Sequence, residues 1–280
     1  MKKLFIFGLS CFLVSFILGT IVWFGFEKKQ QSIEKVEKTY AKNEINQLIV
    51  NMASADVKIV EGNQFHVTYK GKEDLSVSKQ NKTLNIAEIK HSRGKEPNLN
   101  PFNREDNYIV ITVPSAQLKE LNVSTGFAKI QADGIDSQNA KFWNERSGEV
   151  TINHSQFSHT KIIGHESLVN IHDSHLNQSE ISVENGQINA NRSALHRSIF
   201  KIKQGNIVMN DMETECDFKG STQKGNIDLN YRKTPHNVML SLNPEHGHAH
   251  IKNQHLKHGK NGKGEHKVEL YTNHGDITVD

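Results

Sequence analysis

Sixteen histidines stand among 280 residues, and eight of them fall between His236 and His274. His246, His248 and His250 alternate, so on an extended strand they share one face while Ala249 and Ile251 take the other. Three imidazoles so placed have the donor chemistry for Zn²⁺ or Cu²⁺. Side chains at i and i+2 on a strand lie about 6.5–7 Å apart, wider than a tight cage. No cysteine or acidic cluster completes the set. The plainer reading, a solvated polar face that uses histidine, is favoured, and no cofactor is expected. Should a metal bind, His246, His248 and His250 are the candidate ligands. Clustered imidazoles would also charge together near about pH 6 and make surface binding depend on pH.

Catalysis needs more than these residues offer. Extended β-structures can host polysaccharide lyases and hydrolases, which use paired carboxylates in a groove. Asp173, Glu180, Glu184, Asp211, Glu213 and Glu215 are scattered, and no two recur at one outward position in successive repeats. No Gly-x-Ser-x-Gly nucleophile turn occurs. Lys260-Asn-Gly-Lys-Gly264 neither follows a strand nor opens a helix, so it is a flexible loop and not a phosphate cradle. The chain is therefore read as a non-enzyme, with no catalytic or cofactor-binding residues.

Composition points to what must carry such a surface. Only 35% of residues are hydrophobic, and a share of those lies in the first 26 positions. The remainder is rich in Asn, Ser, Thr, His and Gly, which suits thin β-structure with many turns. A net charge of +3 supplies no field for nucleic acid, and none is expected as a partner. Cys11 lies in the apolar N-terminal run and Cys216 is alone in the rest, so no disulfide forms within the domain.

Leu4 to Phe26 is a 23-residue run without a charge, preceded by Lys2 and Lys3. As a helix it spans roughly 35 Å against about 30 Å of hydrocarbon. Trp23 near its far end suits the interface. The ending Ile21-Val-Trp-Phe-Gly-Phe26 is a poor cleavage site, and Gly8-Leu9-Ser10 before Cys11 fits a lipoprotein box only in part. Residues 1–26 are thus expected to be an uncleaved transmembrane signal anchor, and residues 27–44 a polar spacer, partly helical. The flanking charges nearly balance, so orientation rests on the short N-terminal tail. It places the bulk of the chain outside the cytoplasm, on a single-pass protein of the cell membrane.

Beyond the spacer one phrase recurs: an apolar-x-apolar pair, a short polar stretch, a glycine, then x-apolar-x-apolar. Ile181-Ser-Val183-Glu-Asn-Gly186-Gln-Ile188-Asn-Ala190 and Phe200-Lys-Ile202-Lys-Gln-Gly205-Asn-Ile207-Val-Met209 are two of eight copies. The glycine positions 126, 148, 167 (a serine), 186, 205, 225, 247 and 275 are separated by 22, 19, 19, 19, 20, 22 and 28 residues. Period-two alternation makes each copy a set of short strands, and the glycine is expected to bend the chain at positive φ. Coils of about 20 residues made from strands and turns predict a β-solenoid over 116–280. Residues 45–115 carry a less regular version that caps the stack, with a surface loop over His91–Asp106. Asn153, Asn191, Asn210 and Asn230 follow the second strand in four copies and predict an asparagine ladder.

The segments Leu48–Ile59, Leu84–Ile86, Ile111–Pro114 and Leu118–Gly126 together carry a further signal. Their order, with Ala55-Asp-Val-Lys-Ile59 and Leu118-Lys-Glu-Leu121-Asn-Val123-Ser-Thr-Gly126, resembles the bacterial putative-adhesin, LiaG-like family. The resemblance covers about residues 45–280. It implies a membrane-anchored, extracytoplasmic β-repeat protein, in some members linked to envelope stress, and it brings no catalytic residues. The expected function is a cell-envelope binding or structural module of adhesin-like kind. Its partners would be the membrane through Leu4–Phe26 and wall polymer or a membrane protein. An accessory role in envelope-stress signalling is the alternative, and a metal-binding or carbohydrate-active solenoid the remote one.

Overall fold

The computed structural model describes residues 2–22, 34–71, 73–89, 107–114 and 118–280. It is a helix followed by β-structure. Helix α1, Lys2–Val22, exposes Phe5, Phe7, Phe12, Phe16 and Ile21 on all sides. The crossing expected over Leu4–Phe26 needs correction. The described side chains run without a charge from Phe5 to Ile21, about 25 Å of helix at 1.5 Å per residue. Among the described residues no helix is long and apolar enough to cross a membrane. The expected run begins before that stretch and ends beyond the described residues. The stretch read as spacer is not all spacer either: β1, Glu34–Tyr40, pairs antiparallel with β4, Phe65–Gly71. The loop expected over His91–Asp106 lies outside the described residues.

The repeat builds a parallel solenoid with three faces per coil. In the coil closed by β13, Ser179–Asn191, residues 179–183 form the first face and residues 187–191 the second, with Gly186 between them. After a corner at Arg192–Ser193, residues 194–196 form the third face and pair with β12, His175–Asn177. Register is residue for residue: Ile162, Ile181 and Phe200 stack on the first face, and Val169, Ile188 and Ile207 on the second. All six are buried, as are Phe157, Leu176 and Leu195 of the third face. Phe142 packs against Phe157, and Phe200 against Phe218, at ring separations of 5.8 and 6.1 Å. The alternation legible in the sequence is thus the inward ladder of each face.

Five of the seven bend glycines have the positive φ expected of them and Gly126 and Gly247 do not; stacking explains the former. Gly186, Gly205 and Gly225 hold φ of +140°, +138° and +150°. A Cβ on Gly205 would lie 1.8 Å from the carbonyl oxygen of Gly186, and one on Gly225 would lie 2.0 Å from that of Gly205. Each bend therefore seats its carbonyl in the space a side chain would fill one coil above.

The corner that closes the second face is left-handed, with glycine at Gly134 but not in the coils that follow. His154, Asp173, Arg192 and Asp211 all sit at φ between 47° and 50°. The buried serine that follows completes the corner. Ser174 Oγ accepts from the Ser155 amide at 3.1 Å and donates to the His172 carbonyl at 2.6 Å; Ser193 repeats the pattern one coil on. In the next coil the buried Cys216 lies opposite Leu195 of the third face, its Sγ accepting from the Leu195 amide. Burial pushes the Cys216 thiol up to about 11. The expected asparagine ladder is replaced here. Asn153, His172, Asn191 and Asn210 align, but their backbone carbonyls make the bonds, accepting from Gly134, His154, Asp173 and Arg192 at 3.0–3.1 Å, whereas Asn230 bonds through its side chain, its Oδ1 accepting from the Asp211 amide at 3.4 Å. The Asn191 side-chain oxygen is buried without a partner.

The coils do not stack in chain order. At one end β15 and β16 (Asp217–Lys224 and Ile227–Tyr231) pair with β20 and β21 (His266–His274 and Ile277–Val279), the last strands of the chain. The earlier β17 and β18, Val238–His246 and Ala249–Ile251, lie outside them. The other end repeats the device. β2 and β3 (Gln47–Met52 and Asp56–Gly62) are sandwiched between β8 and β9 (Leu118–Thr125 and Lys129–Asp133) and the outer β6 and β7 (Thr83–Ile89 and Tyr108–Pro114). Residues 45–115 thus supply a full inner coil as well as the outer one. Antiparallel strands β4 and β5 (the latter Asp74–Gln80) then cover β7 and β6.

Two measurements check these arguments. Gly205→Ala is expected to cost at least about 2–3 kcal/mol in urea unfolding, since it adds both a clash with fixed backbone and an unfavourable φ. Gly220→Ala, whose Cβ meets only side-chain ends, Leu270 Cδ2 at 3.1 Å and Ile207 Cδ1 at 3.8 Å, should cost less; equal losses would refute the packing account. In a Cys11→Ser background, Cys216 is expected to stay unreactive toward a soluble aromatic disulfide at about pH 8 until denaturant is added. Stoichiometric reaction of the native protein would contradict its burial.

Candidate functional site

The outward residues of the first face form columns as regular as the inward ones. Trp143, Ile163, Ser182, Lys201, Ser221 and Tyr271 are successive partners across five coil-to-coil steps. At about 4.8 Å per step that row is about 24 Å long. With the parallel column at Glu145, His165, Glu184, Lys203 and Gln223 it lines a groove beside the glycine bends, of 620 Å³. Small residues at Gly164, Ser182 and Ser221 keep the floor low in the middle. A second hollow of 440 Å³, lined by Ile49, Asn51, Asn122 and Ser124, continues it past Trp143, which borders both.

Aromatic rings stand at either end of the longer hollow. Trp143 is 42% exposed with Lys141 Nζ 5.9 Å from its ring centre, and Tyr271 is 37% exposed. The Tyr271 hydroxyl donates to Glu245 at 2.6 Å, and that bond raises its pKa above the usual phenol value. Between them His165, Glu184 and Lys203 form an ion cluster, with Lys203 donating to Glu184 at 2.5 Å. The hydrogen bond from Lys203, helped by the charges of Lys203 and His165, holds the Glu184 carboxyl below the usual carboxylate range. Lys201 has no acidic partner among the described residues. The groove thus offers two half-exposed rings, hydroxyls, one balanced ion cluster and a free cation. Sequence reading passed over it, because Trp143 and Tyr271 are 128 positions apart and only the coil register aligns them.

The histidine triplet is divided. β17 ends at His246, the chain bends at Gly247, and His246 stacks on His274 of the neighbouring coil at 4.9 Å. His248 and His250 lie past the bend with rings 5.9 Å apart, and the third group beside them is Asp276. The shared face expected of His246, His248 and His250 is broken by the bend. The carboxylates are distributed as the sequence suggested: Asp173 and Asp211 share a corner column but are separated by Arg192. Arg192 donates two hydrogen bonds to Asp173 at 2.8 and 2.7 Å and holds its carboxyl below the usual range.

A parallel stack of three-sided coils, capped by antiparallel strands and grooved on one outer face, is a repeat protein of the β-solenoid class. Residues 45–280 match the family described as Toastrack DUF4097. The chain belongs to that family, which agrees with the adhesin-like resemblance read from its strand order. Two solved structures are similar. One is described as a putative cell adhesion protein from Clostridium sporogenes ATCC 15579, with 12% identity, a TM-score of 0.33, and cover of 89% of this chain and 99% of that one. The other is described as a putative adhesin (BF0245) from Bacteroides fragilis NCTC 9343, with 12% identity, a TM-score of 0.39 and the same cover. No curated protein matches the chain.

Proposed function

We propose that this protein is a non-catalytic binding module of the cell envelope that takes an extended, hydroxyl-rich wall polymer along the first-face groove. The observation that carries this reading is the alignment of Trp143 and Tyr271 at the two ends of one long hollow, with Lys201, which has no acidic partner among the described residues, between them. A ring face packs on the C–H face of a sugar, hydroxyls at Ser182 and Ser221 meet polar groups, and Lys201 meets an anionic substituent. The groove crosses the coils, so its ligand lies along the stack and spans several of them. A lipid chain would find too many charges there. A peptide strand would find no free backbone to pair with, since the floor is a sheet face.

In this reading helix α1 tethers the module to the cell membrane, with the solenoid on the extracytoplasmic side. The support is its surface, since a helix whose described side chains are apolar and exposed on every side leaves large groups in water at high cost. The uncharged residues on either side bring the run to the 23 of Leu4–Phe26. The apolar helix also suits contact with a membrane protein, the route by which an accessory role in envelope-stress signalling would work.

Trp143 supplies the test. Soluble peptidoglycan fragments and anionic wall polymer are titrated against the full chain in detergent, with indole fluorescence as the signal. Saturable quenching is expected, and Trp143→Ala should weaken binding measured by calorimetry about thirtyfold, near 2 kcal/mol. An unchanged affinity in that variant would remove the groove from the account. Failure of both polymers to bind, with a stoichiometric membrane protein recovered by crosslinking in cells, would favour the signalling role.

A further inference from the structure

The outermost coil at the C-terminal end carries a second, separate arrangement. His248 and His250 belong to that coil, and Asp276 belongs to its neighbour, the tucked-in last coil. One ligand atom from each lies within 4.8 Å of the others. We propose that His248, His250 and Asp276 bind a divalent transition-metal ion, Zn²⁺ or a cation of like ligand preference.

The donor set fits that class of ion. Two imidazoles and one carboxylate make three protein ligands and leave a fourth position for water. Tetrahedral bonds of about 2.0–2.1 Å place donors about 3.4 Å apart, so closure asks for movement of about 1 Å by side chains that face solvent. His248 is 81% exposed and Asp276 48% as side chains, so the ion has an open path.

Asp276 is already oriented. The residues after the bend glycines form a hydrogen-bonded column: Asn206 Oδ1 accepts from the Asn226 amide at 2.8 Å, and Asn226 Oδ1 from the Asp276 amide at 2.9 Å. Asp276 Oδ1 accepts from the His248 amide at 2.8 Å. The carboxylate is thereby fixed through Oδ1, which also lies 3.7 Å from His248 Nδ1. The column changes type at its last two members, from amide to carboxylate to imidazole, at the same place where His250 comes alongside. A merely polar outer face would explain each histidine alone but not their convergence with the carboxylate.

Such an ion would also meet a local need. The coil of β17 and β18 pairs with one neighbour only along most of its length, and its Leu242 and Ile251 are only partly buried. A metal held by both coils ties the outermost one to the stack. The test titrates the full chain in detergent with ZnCl₂ by calorimetry, with Co²⁺ absorption as a report on geometry. One ion per chain, a tetrahedral cobalt spectrum and a raised unfolding temperature are expected. His250→Ala and Asp276→Asn should each weaken binding at least about tenfold, the latter keeping the acceptor that His248 N–H uses. His246→Ala and His274→Ala should leave it unchanged. No saturable binding, several weak ions per chain, or an equal loss in His246→Ala would overturn the proposal.

Discussion

Everything in this fold depends on how closely one bend approaches the next. The carbonyls of Gly186, Gly205 and Gly225 occupy the places where Gly205, Gly225 and Gly275 would carry a Cβ, at 1.8 to 2.0 Å from that absent atom. That contact cannot be slipped by one residue without driving a side chain into backbone, so it locks the register of adjacent coils. Register in turn decides which side chains become neighbours. It stacks Ile181 on Ile162 inside and Ser182 on Ile163 outside, and the same lock sets both the dry core and the groove.

Much of this was legible in the sequence for physical reasons. The bend needs glycine because of the close approach, and the core needs alternation because a strand has two faces, so both leave marks at fixed spacing. The corners leave no such mark. His154, Asp173, Arg192 and Asp211 share a left-handed backbone but no side-chain type, since Ser155, Ser174 and Ser193 do the bonding that holds the turn. The asparagines after the second strand were conspicuous and misleading, because it is the backbone at that position that forms the ladder. The exchange of coil order at the C-terminal end had one trace, the last spacing of 28 residues. The segment that fills it includes the 3-10 turn Gln254–Leu256 and leads back to the inner position.

The candidate sites show the same division. The histidine alternation at 246, 248 and 250 predicts a common face only if the strand continues, and Gly247 interrupts it. What the structure adds is a partner from another coil, Asp276, found through pairing and not through proximity in sequence. The groove is the stronger case. No motif joins Trp143 to Lys201 or Lys201 to Tyr271, yet each is one member of a single outward column. Function in a solenoid is written in columns, and a column is invisible until its period and stacking order are both known.

The position of the chain's two ends has a consequence for how such a protein can change size. Coil 47–62 and coil 266–279 each lie between two others, so neither the first nor the last coil in chain order sits at an end of the stack. A coil added directly beside either of them would have no free edge to join. New coils can enter only in the middle, where the spacing is most regular, near Gly186 and Gly205. The Trp143–Tyr271 row spans that middle, so duplicating one internal repeat would lengthen the groove by one step and leave both caps as they are. The length of that surface can then change by single coils without rebuilding either end of the stack.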